Sequence, residues 1–175
     1  MQAEEICKKL IINHNVFLSY TNNLSAIDYE YAPTNKWNAG QQVKHILQST
    51  TPILKALKLP KFILLLLFGN ANRPSKPYEA ILIKYQDKLQ QGGVASARFT
   101  PQKISFTQKE NLCASLKKNI SKLAKVVANH SETDLDKYIL PHPLLGKLTL
   151  REMLYFTVFH VEHHQKLIAK YLNEK

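Results

Sequence analysis

Apolar residues recur at helical spacing over most of the chain, and this pattern constrains the fold more than any other feature. Apolar stripes spaced three to four residues apart predict long helices and one shorter helix, at residues 2–25, 39–59, 107–129, 149–172 and 78–91. No alternating apolar and polar run typical of a half-buried strand stands out, and no long repeat is visible. We therefore expect an all-α fold. It should be a four-helix bundle with an extra short helical segment, built as one domain over residues 1–175.

Capping residues and prolines predict where the helices begin and end. Asn38 is expected to cap the second helix. Thr107 and Thr149 are each followed three residues later by Glu, which is the spacing of a capping box. Pro52 lies inside the second helix and predicts a kink or a break there. Residues 131–147 contain prolines and a glycine, so we expect a long connection there.

Composition excludes several classes of protein. The longest apolar run, Phe62–Phe68, is seven residues long, whereas a membrane-spanning helix needs about 20. The formal charge is +11, but 21 of the 24 basic residues are Lys and no basic run is longer than two. Arginine makes most bidentate contacts to phosphates and bases, so we interpret the lysines as a solubilising surface. We expect neither nucleic acid nor a membrane as a partner.

The cysteines and the first residues indicate a compartment. Glu4 and Glu5 stand where a signal peptide would carry positive charge. Cys7 and Cys113 are too few for a disulfide framework and are expected to pack as small hydrophobic side chains. Because reduced thiols are typical of the cytoplasm, we expect a cytoplasmic protein.

The almost wholly apolar segment Lys61–Phe68 has two interpretations. It can be a buried helical turn or a buried strand, and this is the interpretation we favour. It can instead be a dimer contact or the wall of an apolar pocket, because exposed apolar patches usually mark a functional surface or an aggregation risk.

Three of the seven histidines lie in the last predicted helix. At about 100° per residue, His164 lies inside the apolar arc, His160 at its edge and His163 toward the polar face. Residues four apart on a helix are neighbours, so His160 and His164 can bind one metal ion. Alternatively, they are core histidines paired with other protein groups.

A metal site would need a third ligand from elsewhere in the chain. His45 lies on the boundary between the apolar and polar arcs of the second helix, which permits a ligand without requiring one. His142 precedes the last helix and can support the site, cap the helix or be exposed. His14 and His130 are interpreted as structural or surface residues.

Three segments, in this order along the chain, resemble the DinB/YfiT-like superfamily. Trp37–Ser49 resembles its second-helix motif, in which a Trp and a capping turn precede a His about eight residues on. His142–Glu152 is similar to its His-Pro-x-x-Gly-x-Leu-Thr segment. Phe159–Gln165 resembles the His-x-x-x-His element of its last helix. The helix pattern of nearly the whole chain also fits this family.

The resemblance implies a four-helix bundle, often a homodimer, with a divalent metal ion (Ni, Zn, Fe or Mn) held by His45, His160 and His164. Family members include thiol S-transferases, which use a low-molecular-weight thiol, and metal-dependent hydrolases. The implied function is therefore a metal-dependent enzyme of one of these types, acting on a small electrophile. The alternative is a non-catalytic bundle, stress-related or partner-binding, with a vestigial metal site.

Three imidazole ligands leave open metal positions, as in a catalytic site. A metal held in this way lowers the pKa of a bound water or thiol and so supplies a nucleophile. His163 and Glu162 are the candidates for a general base. The His-Glu-x-x-His signature of metalloproteases is absent. Three tyrosines are candidates for substrate binding: Tyr29, Tyr155 and Tyr171.

Overall fold

Eight α-helices account for most of the chain in the computed structural model, which describes residues 1–175. In chain order they are α1 (Ala3–Asn22), α2 (Ala26–Glu30), α3 (Ala39–Leu57), α4 (Lys61–Phe68), α5 (Tyr78–Gln90), α6 (Lys109–Val127), α7 (Glu132–Lys137) and α8 (Leu150–Asn173). Two strands, β1 (Ile139–His142) and β2 (Gly146–Thr149), form an antiparallel hairpin. The prediction of an all-α fold is confirmed, since this hairpin is the only sheet.

Four long helices form the bundle. Helices α6 and α8 each pack against both α1 and α3, so that every helix of the bundle has two neighbours. Helix α5 and the hairpin also pack against α8. As a result, every residue of α8 from Leu150 to Val161 is buried, including the charged residues Arg151 and Glu152. Helix α8 is therefore the central helix of the molecule.

The caps predicted at Asn38 and Thr149, on the two helices that carry the candidate metal ligands, are confirmed. At the start of α3, the backbone N–H of Gln41 donates to Asn38 Oδ1 (2.8 Å), and the backbone N–H of Asn38 donates to Gln41 Oε1 (3.1 Å). At the start of α8, Thr149 and Glu152 make the equivalent pair of bonds, at 3.1 and 2.9 Å. Each helix thus begins at a residue determined by its own local sequence.

The prediction of a cap at Thr107 is wrong, and of the two alternatives predicted at Pro52, a kink or a break, the break is excluded. Helix α3 continues without a break through Pro52, because Ile53, Leu54 and Leu57 anchor its last turn in the core. Burial of these side chains outweighs the one backbone hydrogen bond that the proline removes. Thr107 does not cap α6, because it lies inside a 3₁₀ turn, residues 106–108, that precedes the helix.

The connection predicted at residues 131–147 contains a short helix, α7, and most of the hairpin. The Asp134 amide donates to Ser131 Oγ (3.1 Å), which caps α7. Gly146 follows the hairpin turn with φ = +76°, a conformation that glycine adopts at little cost. Each strand has only four residues, which is too short for an alternating apolar and polar pattern to reveal the hairpin in the sequence.

Helix α4 is largely exposed, whereas we expected it to be buried. Only Leu64 faces the core, where the helix packs on β1. Four other apolar side chains of the helix are between 45% and 79% exposed: Phe62, Leu65, Leu66 and Leu67. Phe68, at the end of the helix, lines the pocket described below. No helix of the molecule combines the length and the apolar character needed to cross a membrane.

Candidate metal centre and its pocket

Three buried histidines from two helices converge inside the bundle. His45 comes from α3, whereas His160 and His164 lie one turn apart on α8, and each is at most 6% exposed. His160 Nε2 lies 3.3 Å from His45 Nε2 and 2.9 Å from His164 Nε2. The three Nε2 atoms therefore face a common point.

The spacing and the chemistry of this cluster fit a metal ion. Imidazole nitrogens about 2.0–2.1 Å from a metal are about 2.9 Å apart at a right angle and about 3.4 Å apart at a tetrahedral angle. The separations of 2.9 and 3.3 Å lie within this range. The cluster that could hold an ion consists of the three histidines only. Such a set of nitrogen donors suits Zn, Ni, Cu and Fe.

Two of the rings are oriented by oxygen acceptors behind them. His45 Nδ1 donates to the backbone carbonyl of Phe99 (2.7 Å), and His164 Nδ1 donates to Gln42 Oε1. With the proton held on Nδ1, the lone pair of Nε2 is free and points toward the shared centre. Metal-ligating histidines usually have such a partner, which fixes both the tautomer and the ring orientation.

The loop that carries Phe99 is held against the start of α3. Asn38, the capping residue of that helix, also donates through Nδ2 to the carbonyl of Ile104 (2.9 Å). Gly40 permits the close approach, because a Cβ atom there would lie 2.7 Å from the Ile104 side chain. The same contacts bring the Phe99 carbonyl to His45 and cover that histidine.

Aromatic rings surround the imidazoles. Trp37 lies nearly parallel to His164, with 9° between the rings and 6.4 Å between their centroids. Phe156 stacks on His160 at 4.5 Å, and Tyr85 meets the same histidine edge-on at 5.9 Å. These contacts restrict the rotation of the ring planes.

Burial keeps the three histidines neutral. Desolvation lowers the pKa of His45, and it lowers the pKa values of His160 and His164 well below the ordinary value. Repulsion between neighbouring imidazoles adds to the effect at His160 and His164. Neutral imidazole is the form that binds a metal ion.

The three histidines line a cavity of about 630 Å³. Most of its wall is apolar, with Trp37, Ile53, Phe99 and Phe156 among the contributing side chains. Pockets of this size and character typically hold small organic molecules. The metal-binding atoms and the space for a substrate are therefore contiguous.

The two candidates for a general base lie in different places. His163 lines the pocket, 5.3 Å from the ring of His164, and burial lowers its pKa. Glu162 lies outside the pocket lining and accepts a hydrogen bond from Asn13 Nδ2 on α1. Of the two side chains, only His163 is placed to reach a molecule in the pocket.

The sequence profile of the DinB superfamily matches residues 10–168, which is most of the chain. The chain belongs to the DinB superfamily. The resemblance inferred from the three sequence segments is thereby confirmed. A comparison with curated proteins returned no match.

His142 also belongs to the pocket of this DinB chain. Its Nδ1 accepts hydrogen bonds from the amides of Leu144 and Leu145, both at 3.1 Å, which closes the hairpin turn. Burial lowers its pKa to about 4, so the ring is neutral and carries its proton on Nε2. His142 therefore offers a hydrogen-bond donor as part of the pocket lining.

Sequence reasoning missed two residues of the DinB site. Gln42 lies within the Trp37–Ser49 segment, and no role was predicted for it, although a polar residue on the buried face three positions before His45 is a usable signal. Tyr85 lines the pocket, and burial raises its pKa to about 12, so its hydroxyl stays protonated at neutral pH. None of the three tyrosines named from the sequence lines the pocket: Tyr29, Tyr155 and Tyr171.

Proposed function

We propose that this protein is a divalent-metal-dependent enzyme of the thiol S-transferase or hydrolase type. Its ligands would be His45, His160 and His164, and its metal Ni, Zn, Fe or Mn. The observation that carries the proposal is the convergence of three neutral Nε2 atoms at the wall of an apolar cavity of about 630 Å³. Structural zinc sites use four protein ligands, whereas three leave room for a reacting atom.

The chemistry can be assigned to residues of the pocket. A bound metal would lower the pKa of a thiol or water and so supply a nucleophile near neutral pH. His163, which is neutral and faces the pocket, would accept the proton of that nucleophile. His142 Nε2–H would donate to the leaving group as the bond from the nucleophile to the electrophilic carbon forms. The aromatic walls would exclude bulk water.

The first test is the metal content of the untagged protein, measured by elemental analysis. We expect about one metal ion per chain and none in the His160→Ala/His164→Ala variant. His14→Ala is the matched control, because it also removes a buried histidine but lies outside the cluster. If the wild-type protein binds no metal even after reconstitution with Zn or Ni, the non-catalytic bundle with a vestigial site becomes the better interpretation.

The second test is an activity screen of the metal-loaded protein. It pairs a low-molecular-weight thiol with aryl halides for transfer and uses activated esters for hydrolysis. His163→Gln should lower the turnover rate while the metal content stays unchanged, because the side chain acts on the proton and is not a ligand. A variant with the full wild-type rate would eliminate His163 as the base.

We also propose that the protein is a cytoplasmic homodimer. Cys7 and Cys113 are both free thiols, which fits a reducing compartment. The exposed apolar side chains of α4 support an association, because contiguous apolar surface of this kind usually belongs to an interface. Light scattering after size-exclusion chromatography tests the dimer. A mass of one chain, 20.1 kDa, would contradict it.

A further inference from the structure

We propose that the pocket accepts an apolar molecule that carries a negatively charged end group, and that Arg98 contacts this group. A carboxylate and a sulfonate share the required chemistry. The inference deepens the proposed function and rests on it, because it takes the pocket beside the three histidines as the substrate site.

The charges of the pocket lining carry the first part of the argument. Among the 24 lining residues there is no Asp and no Glu, and Arg98 is the only Lys or Arg. Among the protein's own side chains in the lining, Arg98 is therefore the one charged partner for an anionic group of a ligand.

Arg98 differs from the other two arginines of the chain. Arg73 pairs with Glu152 at 2.5 Å, and Arg151 pairs with Glu132 and Asp136 at 2.7 and 2.6 Å. Arg98 has no carboxylate partner and makes no side-chain hydrogen bond to the protein. Its guanidinium carbon lies 5.7 Å from the centroid of the Phe99 ring. A guanidinium with free donors, resting on an aromatic ring, is well suited to bind a planar or tetrahedral anion.

The distribution of charge along the chain points the same way. Residues 31–78 contain seven Lys or Arg and no acidic residue, and residues 88–109 contain four and none. These two segments provide more than half of the pocket lining. A positive field without interspersed acids raises the local concentration of anions. The basic excess of +11 thus has a role beyond solubility.

The position of Arg98 suggests how the ligand would lie. Arg98 is exposed, whereas the three histidines are buried, so the anionic end would stay near solvent and the apolar body would extend inward. Arg98 and Phe99 share one 3₁₀ turn, and the Phe99 carbonyl orients His45. The same turn therefore connects the anion contact with the candidate metal ligands.

The experiment compares two fluorescent probes with the same rings: anilinonaphthalene sulfonate, which is anionic, and phenyl naphthylamine, which is uncharged. Arg98→Ala should weaken binding of the anionic probe by about tenfold, as expected for loss of a charged hydrogen bond, and leave the uncharged probe unchanged. Arg98→Lys should restore part of the affinity. Equal losses for both probes, or no loss, would overturn the assignment.

Two further variants locate the effect. Lys103→Ala removes an exposed charge from the same acid-free segment but outside the pocket lining, and it should leave both affinities unchanged. If Lys103→Ala weakened binding of the anionic probe as much as Arg98→Ala does, net charge alone would explain the affinity and the assignment to Arg98 would be overturned. Ala56→Trp adds bulk to the pocket wall and should abolish binding of both probes. Binding that persists would place the probes elsewhere, for example on α4, and would overturn the proposal.

The probe titrations are made on chelator-treated protein and repeated with His160→Ala/His164→Ala. We expect the difference between the probes to persist in both. A protein that binds no metal but retains the Arg98 effect would contradict the proposed metalloenzyme and support the anion contact. A protein that binds the metal but shows no Arg98 effect would support the proposed metalloenzyme and contradict the anion contact.

Discussion

Helix α8 carries two buried polar clusters, and they differ in whether their polar atoms find hydrogen-bond partners within the protein. At its N-terminal end, the fully buried Glu152 accepts bonds from Arg73 (2.5 and 2.9 Å) and from the amides of Lys76 (2.7 Å) and Thr149 (2.9 Å). Burial alone would raise the pKa of Glu152, but these donors outweigh it and hold the pKa below its usual value. The cluster is closed, because charge and hydrogen bonds are matched within the protein.

About two to three turns further along the same helix, His160 and His164 meet His45 without any carboxylate in the cluster. The Nδ1 atoms of His45 and His164 are bonded to acceptors, but the three Nε2 atoms face one another. The difference teaches a general distinction. Buried polar groups that hydrogen-bond to each other stabilise the fold. Buried nitrogen lone pairs that point toward one shared centre are arranged for a ligand.

The largest effect should come from opening the closed cluster. Glu152→Ala removes the partner of Arg73 and one of the two bonds of the capping box of α8, so we expect a loss of about 3–5 kcal/mol in the free energy of unfolding. The Lys76 and Thr149 amides bond to different oxygens of Glu152, so Glu152→Gln keeps an acceptor for one of them and should lose less than Glu152→Ala. Urea unfolding followed by circular dichroism measures both. A loss below about 1 kcal/mol would mean that the pair behaves like a surface ion pair.

A lone buried histidine sharpens the comparison. His14 Nδ1 donates to the carbonyl of Leu10 (2.8 Å), its Nε2 has no partner, and burial lowers its pKa to about 4. Between pH 6.5 and pH 4 the unfolded chain binds a proton that the folded chain does not. The free energy of unfolding should therefore fall by up to about 3 kcal/mol as the pH drops through this window.

His14→Leu should remove this contribution, because leucine does not titrate. Denaturant unfolding of wild type and variant at both ends of the window measures the difference in slope. Identical pH dependence in the two proteins would show that His14 does not contribute. At pH 7 the variant should be no less stable, since the unpartnered nitrogen is removed.

A moderate effect is expected from the residue behind His164. Gln42→Leu leaves the three ligands in place but removes the acceptor for His164 Nδ1. Loss of such a partner typically weakens metal binding by about 10- to 100-fold. Competition with a chromophoric chelator gives the affinity. Gln48→Leu on the same helix is the control, because its side-chain oxygen has no partner in the protein. Equal affinities of the two variants would contradict the role of Gln42.

The smallest effect should come from an ion pair whose lysine is exposed. Lys61 Nζ lies 2.6 Å from Asp134 Oδ2, but the Lys61 side chain is 58% exposed. Lys61→Ala should lower the free energy of unfolding less than either Glu152 variant does, because a solvated ammonium gains little from its partner. Thermal unfolding beside Glu152→Ala tests the ranking. A loss as large as that of Glu152→Ala would show that burial does not separate the two pairs.

Much of the local structure could be predicted from the sequence. The helices follow from apolar spacing, and the caps at Asn38 and Thr149 follow from side chains that bond to their own first turn. The placement of His160 beside His164 needs only the geometry of one helix. Each of these features is set by residues within a few positions of one another.

The tertiary structure decided the features that depend on which distant segments meet. His45 lay on the boundary of two arcs, and it is buried because the loop with Phe99 covers it. Helix α4 is apolar enough for a core, yet no other element covers its outer face. Arg98 faces the pocket without a carboxylate, whereas Arg73 meets one 79 residues away. Helical periodicity indicates which side chains turn inward, but it carries no information about what lies opposite them.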